Sequence, residues 1–305
     1  MSQAGSENDN LPFWAALGAA GLCITFGANA VAVKLSLLGI GVFTSAGIRF
    51  VIAALVIAGW ARATGRSLGF RKDQAFHLIL LSMSFVVQMA FFYIGLHKTH
   101  ASRATLITNL QPFFVLLLAH FFIPGDRITP GKAAGILLGF AGIAALFTDR
   151  HAISADLQLG DMATFFAVLC WAATTIYMKR ILPGFHSFHL VLYPMVFAGP
   201  VFLAIGYALD QPMVHRLDTV VVASMLYQSV VTAAFGFVCW TALLKRYGAV
   251  AMNAYIFLLP ITGVLLSGLL LKEPVASRGV LTAMVCVSAG ILLVHARFSF
   301  SRMKG

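Results

Sequence analysis

Carboxylates are scarce in this chain, with ten Asp and Glu among 305 residues against 21 Lys and Arg. They are Glu7, Asp9, Asp73, Asp126, Asp149, Asp156, Asp161, Asp210, Asp218 and Glu273, each placed in a tail, a loop or the first turn of an apolar run. A proton relay built on a carboxylate deep in an apolar segment therefore has no candidate. Cysteine is thinner still: Cys23, Cys170, Cys239 and Cys286 stand alone in four separate runs, with no CxxC pair. That pattern offers neither a redox pair nor a metal centre, and each thiol reads as a small buried hydrophobe. Phosphate loops are missing too. GDRITPGKA, residues 125–133, has one residue too many between its glycines and ends on Ala133 where Ser or Thr is needed. The lone Ser267-Gly268 lacks a full GxSG context and a partner histidine on a neighbouring run, so no nucleophile, base or metal constellation marks an enzyme.

Apolar residues, by contrast, make up 60% of the chain, charged residues only 10%, and the mean hydropathy is +0.91. Soluble domains run at about 45–50% apolar and about 25% charged. The apolar runs are each about 20 residues long, the length a helix needs to cross a hydrocarbon core. Read between Gly, Pro and charge clusters, they give ten spans, near 11–33, 42–60, 76–96, 102–123, 131–148, 158–178, 186–208, 219–243, 249–271 and 277–295. The expected fold is an all-α integral membrane protein of ten transmembrane helices. The longest connection, roughly 61–75, is too short for a soluble catalytic domain.

The net charge of +11 would point to nucleic acid in a soluble protein. Here the basic residues sit in short loops, where the positive-inside rule accounts for them. With a cytoplasmic N-terminus, thirteen Lys and Arg fall inside and seven outside, with Arg49 alone within a span. Both termini are therefore expected in the cytoplasm. Residues 1–10 are polar and acidic with no basic n-region, so they read as a disordered tail and not a cleaved signal peptide. Residues 297–305 form a basic tail.

The second half echoes the first. LQPFFVLLLAHFF from Leu110 matches LLPITGVLLSGLL from Leu258, pairing Pro112 with Pro260, and AGIAALF from Ala141 pairs with AGILLVH from Ala289 at the same offset. FGANAVAVK from Phe26 sits against WAATTIYMK from Trp171. The units are expected at 11–150 and 151–296, five spans each. An odd number sends the second copy into the membrane from the opposite side, as in secondary transporters that alternate between two open states.

Two units in which Pro112 and Pro260 are each followed by an apolar run, an acidic residue (Asp126, Glu273) and a Gly-rich helix resemble the EamA repeats of the drug/metabolite transporter superfamily. Within it the chain looks most like bacterial inner-membrane amino-acid exporters, the aromatic ones included. The resemblance implies a central cavity lined mainly by spans one, three, four, six, eight and nine. It also implies a bacterial inner-membrane location and export as the direction.

Polar stripes fall on those spans. Ser102, Thr105, Thr108, Asn109 and Pro112 share one helical face, and in hydrocarbon such groups must meet other helices or water. Asn29 on span one, Gln88 and Tyr93 on span three, and Trp171, Thr174 and Tyr177 on span six are further candidates, as are Gln228, Thr232 and Trp240 on span eight and Asn253 on span nine. Each such residue can equally join helices through hydrogen bonds, and the aromatic ones can anchor at the interface. Pro112 and Pro260 are candidate bending points or static kinks. Gly131, Gly135, Gly139 and Gly142 read as helix-packing scaffold, and His120 and His189 as packing histidines within spans. Arg49 either snorkels to the outer end or pairs with a substrate carboxylate.

A cavity with at most one fixed charge argues against phosphorylated solutes, which call for several cations. Neutral or zwitterionic metabolites fit, amino acids above all, moved without ATP, without a cofactor or metal and without an ATPase subunit, by a monomer in the bilayer. Drug or amphiphile efflux by the same fold, a passive channel and a membrane enzyme remain as alternatives.

Overall fold

The computed structural model describes residues 12–66, 68–123, 127–148, 154–185, 188–236 and 255–295, with 239–240, 243, 246–247 and 252. The helices are α1 (Phe13–Gly27), α2 (Asn29–Ser36), α3 (Val42–Ala63), α4 (Ala75–Lys98), α5 (Ala101–Thr108) and α6 (Gln111–Phe122). They continue as α7 (Pro130–Thr148), α8 (Ala155–Ile181), α9 (His189–Leu209), α10 (Thr219–Leu226), α11 (Leu258–Leu271) and α12 (Arg278–His295). Past α10 the helix widens to i→i+5 hydrogen bonding over Tyr227–Gly236. Among the described residues nine segments are long and apolar enough to cross a membrane, α1 with α2 and α5 with α6 each counting as one, and the 14-residue α11 is a shorter tenth.

Contacts between loops show that successive spans alternate in direction. At one end Lys98 Nζ bonds Asp156 Oδ1 at 2.9 Å, Thr44 N donates to Asp210 Oδ2 at 2.7 Å, and Ile40 bridges Val214. At the other end Gln74 Nε2 donates to Gly184 O at 2.7 Å and Arg180 reaches Phe122 O. We name these the Lys34 end and the Arg71 end. The first unit enters the bundle at the Arg71 end and the second, with α8, at the Lys34 end. The two are upside down relative to each other.

Packing ignores the boundary between them. One apolar core joins Val33, Phe50, Tyr93, Phe202 and Ala233, while the other joins Leu106, Phe113, Ile136, Val264 and Val287. Each core draws on both units. In the second core α7 and α12 pack along their length. A methyl on Gly135 would stand 2.6 Å from Gly290 O, and one on Gly142 2.7 Å from Cys286 Cβ, so the glycine spacing serves close helix approach, as expected.

Both proline spans break at equivalent points. α5 ends at Thr108 and α6 starts at Gln111, because Pro112 has no N–H and its ring collides with the carbonyl four residues back. In the second unit Tyr255, Ile256 and Phe257 form a turn before α11, closed by Leu258 N to Tyr255 O at 3.0 Å, and Pro260 is the third helical residue. Two other irregularities have no mirror. The first span breaks at Ala28, whereas its counterpart α8 runs unbroken for 27 residues. The eighth span widens to a π-helix, whereas its counterpart α4 stays α-helical for 24. Near the break, a Cβ on Gly27 would meet Leu259 O at 2.8 Å, and Gly263 abuts Thr105, so α1, α5 and α11 cross almost backbone to backbone.

Candidate functional site

Ser45 and Arg49 lie one turn apart on α3 and therefore share a face. Across from them α4 turns Tyr93 inward, fully buried, and the π-segment turns in Gln228, also fully buried. The result is one hydrogen-bonded chain. Arg49 Nη1 approaches Tyr93 Oη at 3.5 Å, the Tyr93 hydroxyl donates to Gln228 Oε1 at 2.8 Å, and Gln228 Nε2 donates to Ser36 Oγ at 2.9 Å and faces Met225 Sδ at 3.1 Å. Ser36 and Ser45 hydroxyls meet at 2.9 Å. One turn further along the π-segment, Thr232 Oγ1 lies 3.0 Å from Asn29 Oδ1 and donates to Gln228 O at 2.7 Å. Tyr227 Oη donates to Thr25 O at 2.8 Å. Every link except those within one helix crosses between spans, and the links to Gln228, Thr232 and Tyr227 cross between units. π-segments recur at functional sites, where widened turns re-aim side chains.

Arg49 is the unusual member. It is seven residues into α3, about 10 Å of helix rise from Val42. It is buried (9% exposed), so it does not snorkel to the end of the bundle. Its guanidinium carbon stands 5.6 Å from the Phe50 ring centre, and its Nε has no hydrogen-bond partner among the described residues.

Of the residues expected at a cavity, the structure thus brings together Asn29, Tyr93, Gln228, Thr232 and Arg49. Gln88 is buried with its Oε1 unpartnered. Thr105 and Asn109 sit at the α5–α6 break, where Asn109 Nδ2 donates to Thr105 O at 2.8 Å and the Thr105 hydroxyl lies against Gly263. Pro112 and Pro260 flank the two breaks already described. Other candidates lie apart. Thr174 bonds its own helix at Cys170 O, and Trp171 is exposed. Tyr177 Oη shares a 2.6 Å bond with His77 Nδ1 near the Arg71 end. Trp240 stands edge-on to Phe26 at 6.0 Å. Asn253 lies outside the described residues. His120 is exposed near the Arg71 end, and the buried His189 is the first residue of α9, edge-on to Tyr193 at 5.5 Å.

Sequence reasoning missed Ser36, because the first span runs three residues past its expected end at 33, and Met225, whose thioether gave no polar signal within its span. It also missed an ionic lock at the Lys34 end. Asp161 was expected in the first turn of a span and Arg103 in a loop. Instead α8 starts at Ala155, with Ser154 as its cap, so Asp161 is its seventh residue and fully buried. Arg103, third in α5 and 3% exposed, donates from Nε to Asp161 Oδ2 at 2.9 Å and from Nη2 to the same oxygen and to Leu146 O. Thr99 Oγ1 donates to the other carboxylate oxygen at 2.6 Å.

Two further charges clamp the α4–α5 corner. Lys34 Nζ donates to Leu96 O, His97 O and Thr99 O at 2.6, 3.1 and 2.6 Å, using all three of its protons on the carbonyl end of α4. Glu273 accepts from Ala101 N, Ser102 N and Ser102 Oγ at 2.6, 2.9 and 2.7 Å, covering the amide end of α5. Spans one and nine thus hold the corner between spans three and four.

An apolar helical bundle made of two inverted five-span units, joined across their boundary by an enclosed polar network, defines a membrane transporter. The particular family follows from the sequence: the profile of the EamA-like transporter family matches residues 13–148 and again 158–295, and the chain belongs to that family. It is 28% identical over 264 residues to a "Probable amino-acid metabolite efflux pump" of Escherichia coli (strain K12), covering 82% of this chain and 84% of that one. A protein of the same description from Salmonella typhimurium is 25% identical, covering 88% and 91%. An "Uncharacterized transporter" of Archaeoglobus fulgidus is 26% identical over 239 residues, covering 75% and 79%. One crystal structure superposes with a TM-score of 0.66 at 18% identity, over 92% of this chain and 98% of that one, a likeness of fold alone.

Proposed function

We propose that this transporter exports small zwitterionic or neutral metabolites, chiefly amino acids with apolar or aromatic side chains, from the cytoplasm across a bacterial inner membrane. It works by alternating access, without ATP, with both termini and the Arg71 end in the cytoplasm. The observation that carries this reading is the network from Asn29 and Ser36 through Tyr93 and Gln228 to Thr232. Its hydroxyls and amides come from both units and surround a single fixed charge. Such groups hydrogen-bond a polar solute with little desolvation of charge, and a site shared by two inverted units is remade when the units exchange conformations. The kinship with proteins named as amino-acid metabolite efflux pumps supports the substrate class.

In this structure the Lys34 end is closed by Lys34, Glu273 and the Arg103–Asp161 pair. Opening toward the outside requires the α4–α5 corner to leave that clamp. With each described carboxylate, the buried Asp161 included, held by partners within the chain, transport proceeds without a free acidic relay.

The test is uptake of a panel of labelled amino acids into proteoliposomes holding purified protein, with and without a pH gradient. Uptake of apolar and aromatic members in both conditions is expected. Efflux of cationic dyes with uptake of none overturns the substrate class, and strict dependence on the gradient overturns the coupling. Gln88→Ala, Asn109→Ala and Gln228→Ala should each lower transport while inserting normally; wild-type rates in all three would dismiss the site.

A further inference from the structure

The described carboxylates can be accounted for one by one. Asp73 pairs with Arg71, Asp156 with Lys98 and Asp161 with Arg103. Asp218 lies against Arg216 and caps α10 at Val221 N, Asp210 caps α3 at Thr44, and Glu273 caps α5. Among the described residues, then, no carboxylate is left for Arg49. An arginine side chain keeps its positive charge in proteins, so this charge has to be compensated where it is buried. An uncompensated buried charge is strongly destabilising, and its natural complement is a planar anion that accepts two parallel N–H bonds.

We propose that Arg49 is the anchor for a carboxylate of the transported solute, so that the substrates are small organic acids and amino acids with a free carboxylate. This rests on reading the chain as a carrier of such metabolites. The geometry supplies the parts. The Tyr93 hydroxyl points its proton at Gln228 and offers its oxygen to Arg49 Nη1, which holds the guanidinium plane from one side. That leaves Nε, buried and without a partner among the described residues, for the solute. Tyr93 and Gln228 are positioning residues in this arrangement, and Phe50 lies against the cation. The neutral hydroxyls and amides beyond, Ser36, Asn29 and Thr232, are left to meet the rest of the molecule.

Three probes with the same ring and amine test it in proteoliposomes: L-phenylalanine, its near-isosteric amide, and phenylethylamine, which lacks the carboxylate. Wild-type protein should carry phenylalanine at least about tenfold faster than either analogue, and 3-phenylpropionate should compete where the amide does not, about 1.4 kcal/mol or more of discrimination. Arg49→Gln should lower phenylalanine transport at least about tenfold, chiefly through KM, and Arg49→Lys should lie between. Competition in the wild type needs no variant, so misfolding of Arg49→Gln leaves the test intact. Equal transport of all three probes overturns the anchor while the exporter reading survives. Transport of no amino acid, with dye efflux, removes the exporter reading itself and the anchor with it. Thermal stabilisation by chloride in place of gluconate, with none from 3-phenylpropionate, makes Arg49 a chloride site and overturns the proposal.

Discussion

Among the described residues two arginines are buried, Arg49 and Arg103, and they keep different company. Arg103, on α5, has Asp161 against its guanidinium, and that carboxylate takes a further bond from Thr99. Arg49, on α3, has one long contact with a phenol and an aromatic ring. The first arrangement is satisfied within the chain: none of the buried side-chain atoms of Arg103, Asp161 or Thr99 is left without a partner. The second is incomplete by one anion. A buried ion pair repays its desolvation only when its geometry is excellent, and an unpaired buried charge does not repay it at all. The same residue type at similar burial is therefore a structural clamp in one place and, on our proposal, a receptor in the other.

Breaking the complete pair should have the largest effect. Asp161→Ala strands Arg103 in a dry site and should destabilise the protein by about 3–5 kcal/mol. The readout is loss of the monodisperse peak in detergent or a steep fall in thermal midpoint. The double variant Arg103→Met with Asp161→Leu should recover most of that loss, because it removes both desolvated charges. Wild-type stability in Asp161→Ala would mean that the pair is not the clamp described.

A second change makes the incomplete arginine resemble the complete one. Gln228→Glu is isosteric and places a carboxylate in the same network, next to the Tyr93 hydroxyl that touches Arg49. It should leave insertion and stability near wild type while reducing transport of carboxylate solutes at least about tenfold at neutral pH, since charge-assisted bonds are worth about 1.5–3 kcal/mol each. Acidification that protonates the new carboxyl should restore part of the rate, measured as initial uptake against pH. Unchanged transport would show that the guanidinium is indifferent to a competing anion.

How far this contrast was legible beforehand depends on the kind of contact. Repeats at near-constant offset and apolar runs of membrane length are local patterns, and they carried the ten spans, the inverted units and the family resemblance. The stripe Gln228–Thr232 was visible because polar residues four apart share a face. Helical spacing names a shared face but not which way that face points. Trp171 and Thr174 therefore looked equivalent to Gln228, yet one is exposed and the other bonds its own backbone. The Arg103–Asp161 pair was hidden for a different reason. Its partners are 58 residues apart, and both were assigned by hydropathy to the ends of spans, where charges are ordinary. The π-widening after Leu226 leaves no compositional trace at all.

A milder break concerns the clamp at the Lys34 end. Glu273→Gln keeps the shape of the cap over α5 but removes its charge and turns one of the two accepting oxygens into a donor, so part of the cap on Ala101 and Ser102 is lost. The closed Lys34 end should lose about 1–2 kcal/mol relative to the open one, a shift of about tenfold in their ratio. A cysteine substituted for Ala104, which is fully buried, reports this in a background without the four native thiols. Its reaction with a membrane-impermeant maleimide added from outside should quicken by about that factor in Glu273→Gln. Equal rates would show that the carboxylate does not hold this end shut.

The smallest effect expected is one of pH, at His100 in the turn between α4 and α5. Burial, with Lys34 and Arg103 nearby, pulls its imidazole below the ordinary value, against the opposite pull of Glu273 and Asp161. A depressed value means that the folded protein declines a proton which the unfolded chain accepts below about pH 6.5. Stability from this group is therefore full above that pH and is lost as the pH falls through the interval down to the folded value, by at most about 1.4 kcal/mol per pH unit for one proton. The thermal midpoint in detergent should fall between pH 7 and pH 5, and His100→Asn should flatten that slope without moving the plateau above pH 7. A steeper slope in the variant would mean that the imidazole is held charged at this corner, drawn by Glu273 and Asp161 more strongly than it is repelled by Lys34 and Arg103.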